Sequence, residues 1–273
     1  MVSQVLEALH YAFVQRALLA GLFIALGCGL LGVFLVLRRY AMIGEGLSHF
    51  AFATVGLALL LGWTPLYIAL PLVALASLVI LYLPGRAAMY GDAAIGMVSA
   101  VGVAAGVLFA SLGGGFNVDL FSFLFGDILS VSRAETRLAV ALALGVLALI
   151  GLFYHELFAV TFDEAGARVV GIRPARLNRL LALLTALMVV LGIRVVGTLL
   201  VSSLLIFPAV TALQFRRSFK MTLAVSAALG ALSVVLGLFL SLGLDTPAGA
   251  TIVLVNAAFF LLAFAVTRGR QRG

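Results

Sequence analysis

Apolar residues dominate this chain in long, unbroken runs, and polar residues gather between them. Runs of spanning length recur at residues 13–37, 42–62, 64–83, 91–112, 137–156, 177–194, 197–214, 220–242 and 247–267. A helix rises about 1.5 Å per residue, so some twenty apolar residues cross a hydrocarbon core of about 30 Å. The pattern therefore predicts an all-α polytopic membrane protein with about nine transmembrane helices, eight at the fewest. Closed β-barrels are excluded, because their strands alternate apolar and polar positions over short segments. The first run is followed by many more, so it reads as a span and not a cleaved signal. Residues 117–131, NVDLFSFLFGDILSV, are too short and too acidic to cross. They predict a short helix lying on, or dipping into, one face. The N-terminal stretch VSQVLEALHYAFVQ, with His10, reads as amphipathic and interfacial.

Composition agrees. Of 273 residues, 64% are hydrophobic and 10% charged, and mean hydropathy is +1.28. A water-facing shell would need far more charge. No boundary or low-complexity tract divides the chain, so residues 1–273 are expected to form a single transmembrane domain. The formal net charge of +7 does not point to nucleic acid, because the basic residues sit at span ends. With the N-terminus outside and the C-terminus in the cytoplasm, thirteen of seventeen basic residues fall inside; only Arg16, Arg133, Arg137 and Arg194 do not. That bias is what orients membrane proteins. The single Cys28 lies within a span and excludes a disulfide framework.

Small residues at helical spacing mark packing seams. Gly21, Ala25 and Gly29 share a face of the first span, and Gly102 and Gly106 form a GxxxG in the fourth. Pro208 predicts a kink in the seventh. Asp119, Asp127 and Asp245 fall on the outer side, where they could attract cations or a binding protein, or serve as loop charges and caps; Asp245 precedes TPAGAT, a plausible helix start.

One stretch breaks the apolar pattern: MIGEGLSHF, residues 42–50. Glu45 and His49 stand four residues apart, one turn apart on a single helical face. A carboxylate oxygen and an imidazole nitrogen at that spacing can converge on one divalent cation. Ionisable groups at membrane depth are costly and usually face a bundle interior or an aqueous pathway. The spacing alone equally allows Glu45 to cap the span and His49 to satisfy a neighbouring backbone. Two ligands are also too few for a tetrahedral site. A two-fold homodimer would bring a second pair; water could instead complete the shell.

The segment TFDEAGARVVGIRP, residues 161–174, is the second polar island. Thr161 and Glu164 have capping-box spacing. Gly171 supplies a stop and Pro174 follows, so a short cytoplasmic helix of about two turns is expected within the longest inner loop, 157–176. No GxxxxGK[ST] occurs and the only lysine is Lys220, so ATP hydrolysis is not expected of this chain. His155, beside Glu156, reads as interfacial and not as a ligand.

Taken in order, these stretches resemble the membrane subunit of bacterial zinc and manganese ABC importers, the metal ABC-3 type permease family. The likeness begins with residues 13–62 and continues through DLFSFLFGDIL (119–129), FDEAGARVVGI (162–172), VVGTLLVSSLLIFPAVTA (195–212) and LDTPAGATIVL (244–254). In that family an acid, two residues, Ser or Ala, then His recur in the second span; here these are Glu45, Ser48 and His49. Glu45 stands where many members have Asp, which lengthens the ligand's reach. The resemblance implies Glu45 and His49 as metal ligands, with zinc or manganese, and iron as a further cargo, passing as transported ions and no cofactor held permanently. It implies an ABC importer permease fold working as a homodimer in the bacterial cytoplasmic membrane, with two copies of an ABC ATPase and an extracytoplasmic metal-binding protein. It also implies that Asp163, Glu164, Ala165, Gly166, Ala167, Arg168 and Gly171 form the helix that docks on the ATPase. Two other readings of the same pattern are a proton-coupled secondary metal carrier, with Glu45 as proton site, and a permease for metal chelates or cobalamin-type ligands. The first lacks the internal repeats common in such carriers, and the second would need a channel nearly free of ligands.

Overall fold

The computed structural model describes residues 11–87, 89–113 and 131–270. These residues are helical almost throughout, in the order α1 (Ala12–Leu37), α2 (Ile43–Leu61), α3 (Pro65–Ala87), α4 (Gly91–Leu112), α5 (Arg133–Leu152), α6 (Tyr154–Phe162), α7 (Glu164–Val169), α8 (Pro174–Val196), α9 (Thr198–Gln214), α10 (Phe219–Leu244) and α11 (Ala248–Arg270). Eight of them are long and apolar enough to cross a membrane. The ninth expected span is α9, whose 17 residues reach about 26 Å, slightly less than a full hydrocarbon core. Residues 117–130 of the expected surface helix, with Asp119 and Asp127, and residues 1–10, with His10, lie outside the described residues.

Two compact units emerge. One gathers the described residues of 37–118 and 145–190; the other those of 1–36, 119–144 and 191–273. In the first, α2 packs along both α3 and α4. Its seam with α4 is the GxxxG expected from sequence. A Cβ placed on Gly102 would stand 2.5 Å from the Cα of Phe50 and 2.8 Å from the carbonyl oxygen of His49. Only glycine allows backbones so close. Gly56 reciprocates, with the Gly106 carbonyl 3.2 Å from where its Cβ would lie. The second unit is built on α9, α10 and α11, which pack pairwise, with α1 against α10. There a Cβ on Gly29 would sit 2.9 Å from the Ser226 carbonyl oxygen, and the Ser226 hydroxyl donates to the Gly29 carbonyl at 2.7 Å. Helix α9 runs unbroken through Pro208.

One local expectation is corrected. The span placed at 137–156 is α5, which begins at Arg133 and ends at Leu152. Ser132 and Glu135 form a reciprocal capping box that sets the earlier start: the Ser132 amide donates to Glu135 Oε2 at 2.9 Å, and the Glu135 amide to Ser132 Oγ at 3.1 Å. Glu135 also pairs with Arg194 at 3.1 Å. The chain leaves helical geometry at Phe153 and restarts as α6, so His155 lies in the first turn of a new helix, exposed, its ring edge-on to Tyr154. Asp245 precedes a helix start as expected, since α11 begins at Ala248, and it also terminates α10. It is the C-cap in the left-handed region, with φ 53°, and Thr246 N donates back to Ser241 O at 3.2 Å.

Candidate metal pathway and coupling segment

Helix α1 ends in a tight turn, with Arg39 in the left-handed region at φ 64°. Four residues later, at Ile43, α2 begins. Its N-cap, Met42, offers no side-chain acceptor, and Glu45 occupies the first turn. A carboxylate there faces the positive end of the helix dipole. The glycine seam with α4 and the buried residues Gly46, Leu47 and Ser48 take one side of α2 inward. Ser48 turns back on its own helix, donating to the Gly44 carbonyl at 2.8 Å. Glu45 and His49 are left on the opposite side, with side chains 47% and 43% exposed.

Their nearest polar atoms, Glu45 Oε1 and His49 Nε2, are 3.9 Å apart, beyond hydrogen-bond length. The separation is close to what a shared ion needs. Oxygen and nitrogen ligands hold such ions at about 2.0–2.2 Å, so atoms 3.9 Å apart already subtend about 135° at one ion. Closing the gap by well under 1 Å gives ordinary coordination angles. Among the described residues, no group of three or more His, Cys, Asp or Glu side chains could hold a metal. The pair thus offers two ligands and an open outward side.

The second polar island is ordered differently from expectation. Thr161 does not cap anything: it lies in the last turn of α6, and its hydroxyl donates to Leu157 O at 2.6 Å. The cap of α7 is Asp163, whose Oδ1 accepts from the Gly166 amide at 2.9 Å. Glu164 and Arg168 form an exposed i,i+4 ion pair. Gly171, at φ 86°, closes the helix as foreseen: its amide donates to Arg168 O at 3.1 Å and the Ile172 amide to Ala167 O at 3.0 Å, a Schellman arrangement. The loop expected over 157–176 is therefore mostly two short helices. Ala167, expected among the small docking residues, is 3% exposed and packs within its own chain. The outward apolar residues of this segment are Phe162, Val169 and Val170, beside the exposed Ala165.

One residue that sequence reasoning treated only as an orienting charge joins these regions. Arg38 donates from Nε and Nη2 to Thr161 Oγ1, at 3.1 and 3.0 Å, and from Nη1 to Asn178 Oδ1. It thus ties the end of α1 to the end of α6 and the start of α8. Burial pulls its pKa down to about 10, against the opposing pull of Glu164 and Tyr40, so it keeps its charge at neutral pH. Tyr40, two residues on, is raised by burial and by Glu164. Its ring covers Gly91, the first residue of α4, where an added Cβ would stand 2.9 Å from Cε1. The signal available in sequence was the pair of arginines at the end of an apolar run, whose partners Thr161 and Asn178 lie 123 and 140 residues further along the chain.

A family model described as the ABC 3 transport family matches residues 10–267. The chain belongs to that family. The manganese import system permease protein ScaB of Streptococcus gordonii is 33% identical, over 97% of this chain and 95% of that protein. The manganese transport system membrane protein MntC of Halalkalibacterium halodurans is also 33% identical, over 94% and 88%. Among solved structures, PsaBC from Streptococcus pneumoniae in complex with Fab superposes with a TM-score of 0.85 at 32% identity, covering 97% of this chain and 95% of that one. This ABC 3 chain is therefore a multi-pass protein of the cell membrane, as its hydropathy pattern predicted, with the permease fold that the resemblance implied.

Proposed function

We propose that this ABC 3 permease is the transmembrane subunit of an ATP-driven importer that carries Mn2+ into the cytoplasm, with Glu45 and His49 as the ion's ligands on the way. The observation that carries this reading is the exposed carboxylate–imidazole pair, 3.9 Å apart on α2. Its chemistry suits a divalent transition metal, and the names of the relatives favour manganese over zinc. A carboxylate accepts either ion, while imidazole leans to zinc by softness, so one of each holds Mn2+ without trapping it.

The open side of the pair is completed by a second copy of the chain, bringing four protein ligands to one ion on the dimer axis. Energy comes from two separate ATPase chains, which engage the α6–α7 segment on the cytoplasmic side, and an extracytoplasmic binding protein delivers the ion. Alternating access then moves Mn2+ past the Glu45/His49 level. The test is manganese accumulation in cells lacking their own importers, with protein level checked. Glu45→Ala and His49→Ala should each abolish most uptake, and Glu45→Asp should retain part of it, because the carboxylate survives with a shorter reach. Near-normal uptake in both alanine variants would overturn the proposal, and zinc uptake exceeding manganese would reassign the cargo.

A further inference from the structure

The unit formed by α9, α10 and α11 holds a cavity away from Glu45 and His49 in sequence. This cavity, of about 220 Å3, opens between these helices. Its long wall is one stripe of α11, Phe259, Leu262, Ala263 and Val266, at the i, i+3, i+4, i+7 spacing of a single helical face. The seven helical rises from Phe259 to Val266 make this stripe about 10.5 Å long. Thr211 and Phe215 of α9 and Leu229 of α10 close the other sides. Thr211 is 1% exposed, and its hydroxyl is the one buried side-chain polar atom among the described residues with no hydrogen-bond partner. Buried polar groups are nearly always paired, so an orphan on a cavity wall points to a missing partner.

Next in sequence to the lining residues Phe215 and Val266, the helix ends meet: the Thr267 hydroxyl donates to Gln214 Oε1 at 3.5 Å. Immediately beyond lie Arg216 and Arg217 after α9, and Arg268 on α11, all exposed. Arg216 adopts a left-handed conformation, φ 48°, and the Arg268 guanidinium lies over the Phe264 ring at 5.2 Å. Thr211 is five residues from Arg216, so the orphan hydroxyl sits about 7.5 Å deeper than the cationic rim. An apolar channel, a polar group just below its mouth and a cationic rim make up, in order, the complement of an acyl chain, an ester carbonyl and a phosphate.

We infer that this groove is a binding site for one anionic phospholipid, with an acyl chain along the α11 stripe, its ester carbonyl accepting from Thr211 and its headgroup phosphate at Arg216, Arg217 and Arg268. Basic residues near a membrane surface strengthen anionic-lipid binding by about fivefold each, so three of them predict roughly hundredfold preference over a zwitterionic lipid.

The test is native mass spectrometry of the detergent-purified full-length protein after addition of phosphatidylglycerol or phosphatidylcholine, with thermal unfolding followed in parallel. The site predicts one phosphatidylglycerol retained per chain and a raised midpoint, with phosphatidylcholine retained about hundredfold less. Arg216→Gln/Arg217→Gln/Arg268→Gln should erase the preference, and Thr211→Val should weaken retention severalfold while the chain stays folded. Leu262→Trp, on an exposed position, should block the channel and remove the retained lipid without touching the buried core. Equal retention of both lipids, retention unchanged in the variants, or crosslinking from a cysteine at position 262 to the same position of a second copy would overturn the inference.

Discussion

Replacing Arg38 tests whether the α6–α7 segment is tethered to the turn that leads into α2. In Arg38→Ala the guanidinium's bonds to Thr161 and Asn178 are lost together. Hydrogen bonds to a charged group contribute about 1.5–3 kcal/mol each. Removing the charge also relieves its partial burial, so the net loss should be about 2–3 kcal/mol, and not the sum of the bonds. Thr161 keeps its bond to Leu157, leaving Asn178 as the group that loses a partner. A loss of 2 kcal/mol raises the detached population of the segment about thirtyfold, since 1.4 kcal/mol is a factor of ten. Hydrogen exchange at residues 158–171 reads this directly, and amide protection should fall by about that factor, with α9–α11 unchanged. Manganese moved per ATP hydrolysed should fall as well. Arg38→Lys should recover only part of both, because one ammonium cannot reach two acceptors as a planar fork does. Exchange and transport unchanged in Arg38→Ala would refute the tether.

Other variants test the seams and the cytoplasmic helix. Gly102→Leu puts a side chain where even a Cβ would stand 2.5 Å from Phe50 Cα. The overpacked α2–α4 seam should lose at least about 1–3 kcal/mol, read as a lowered thermal midpoint, and uptake should fall with it because α2 carries Glu45 and His49. Asp163→Ala should fray α7 at a cost of about 1 kcal/mol, seen as faster exchange at Gly166. Ala167→Trp should destabilise the chain itself, whereas Val169→Asp with Val170→Asp should leave folding intact and reduce copurification with the ATPase; the opposite pattern would mean that the docking face is on the other side of α7.

Spans were legible because spanning length and apolar composition are set by the bilayer, whichever helix packs on which. The glycine seams at Gly29 and Gly102 were legible for a similar reason: close backbone approach has few sequence solutions. Caps were harder. Thr161–Glu164 and Ser132–Glu135 have the same spacing, and only the second is a capping box. What separates them is Asp163, which accepts from the Gly166 amide and caps α7, while Thr161 stays in the last turn of α6 and donates to Leu157. Arg38 reads in sequence as topology, since an arginine after an apolar run orients a helix whether or not it is hydrogen-bonded. Ala167 was misplaced for a simpler reason: in a six-residue helix, small side chains mark the buried and the exposed face alike.

The central claim is that Glu45 and His49 hold the ion, and the most direct measurement locates the ion itself. Crystals of the complete transporter grown with Mn2+, and measured at the manganese absorption edge, should show one anomalous peak between the Glu45 carboxylate and His49 imidazole of both copies. That peak should vanish in His49→Ala. A peak elsewhere along the chain, or one that survives His49→Ala at full height, would contradict the account.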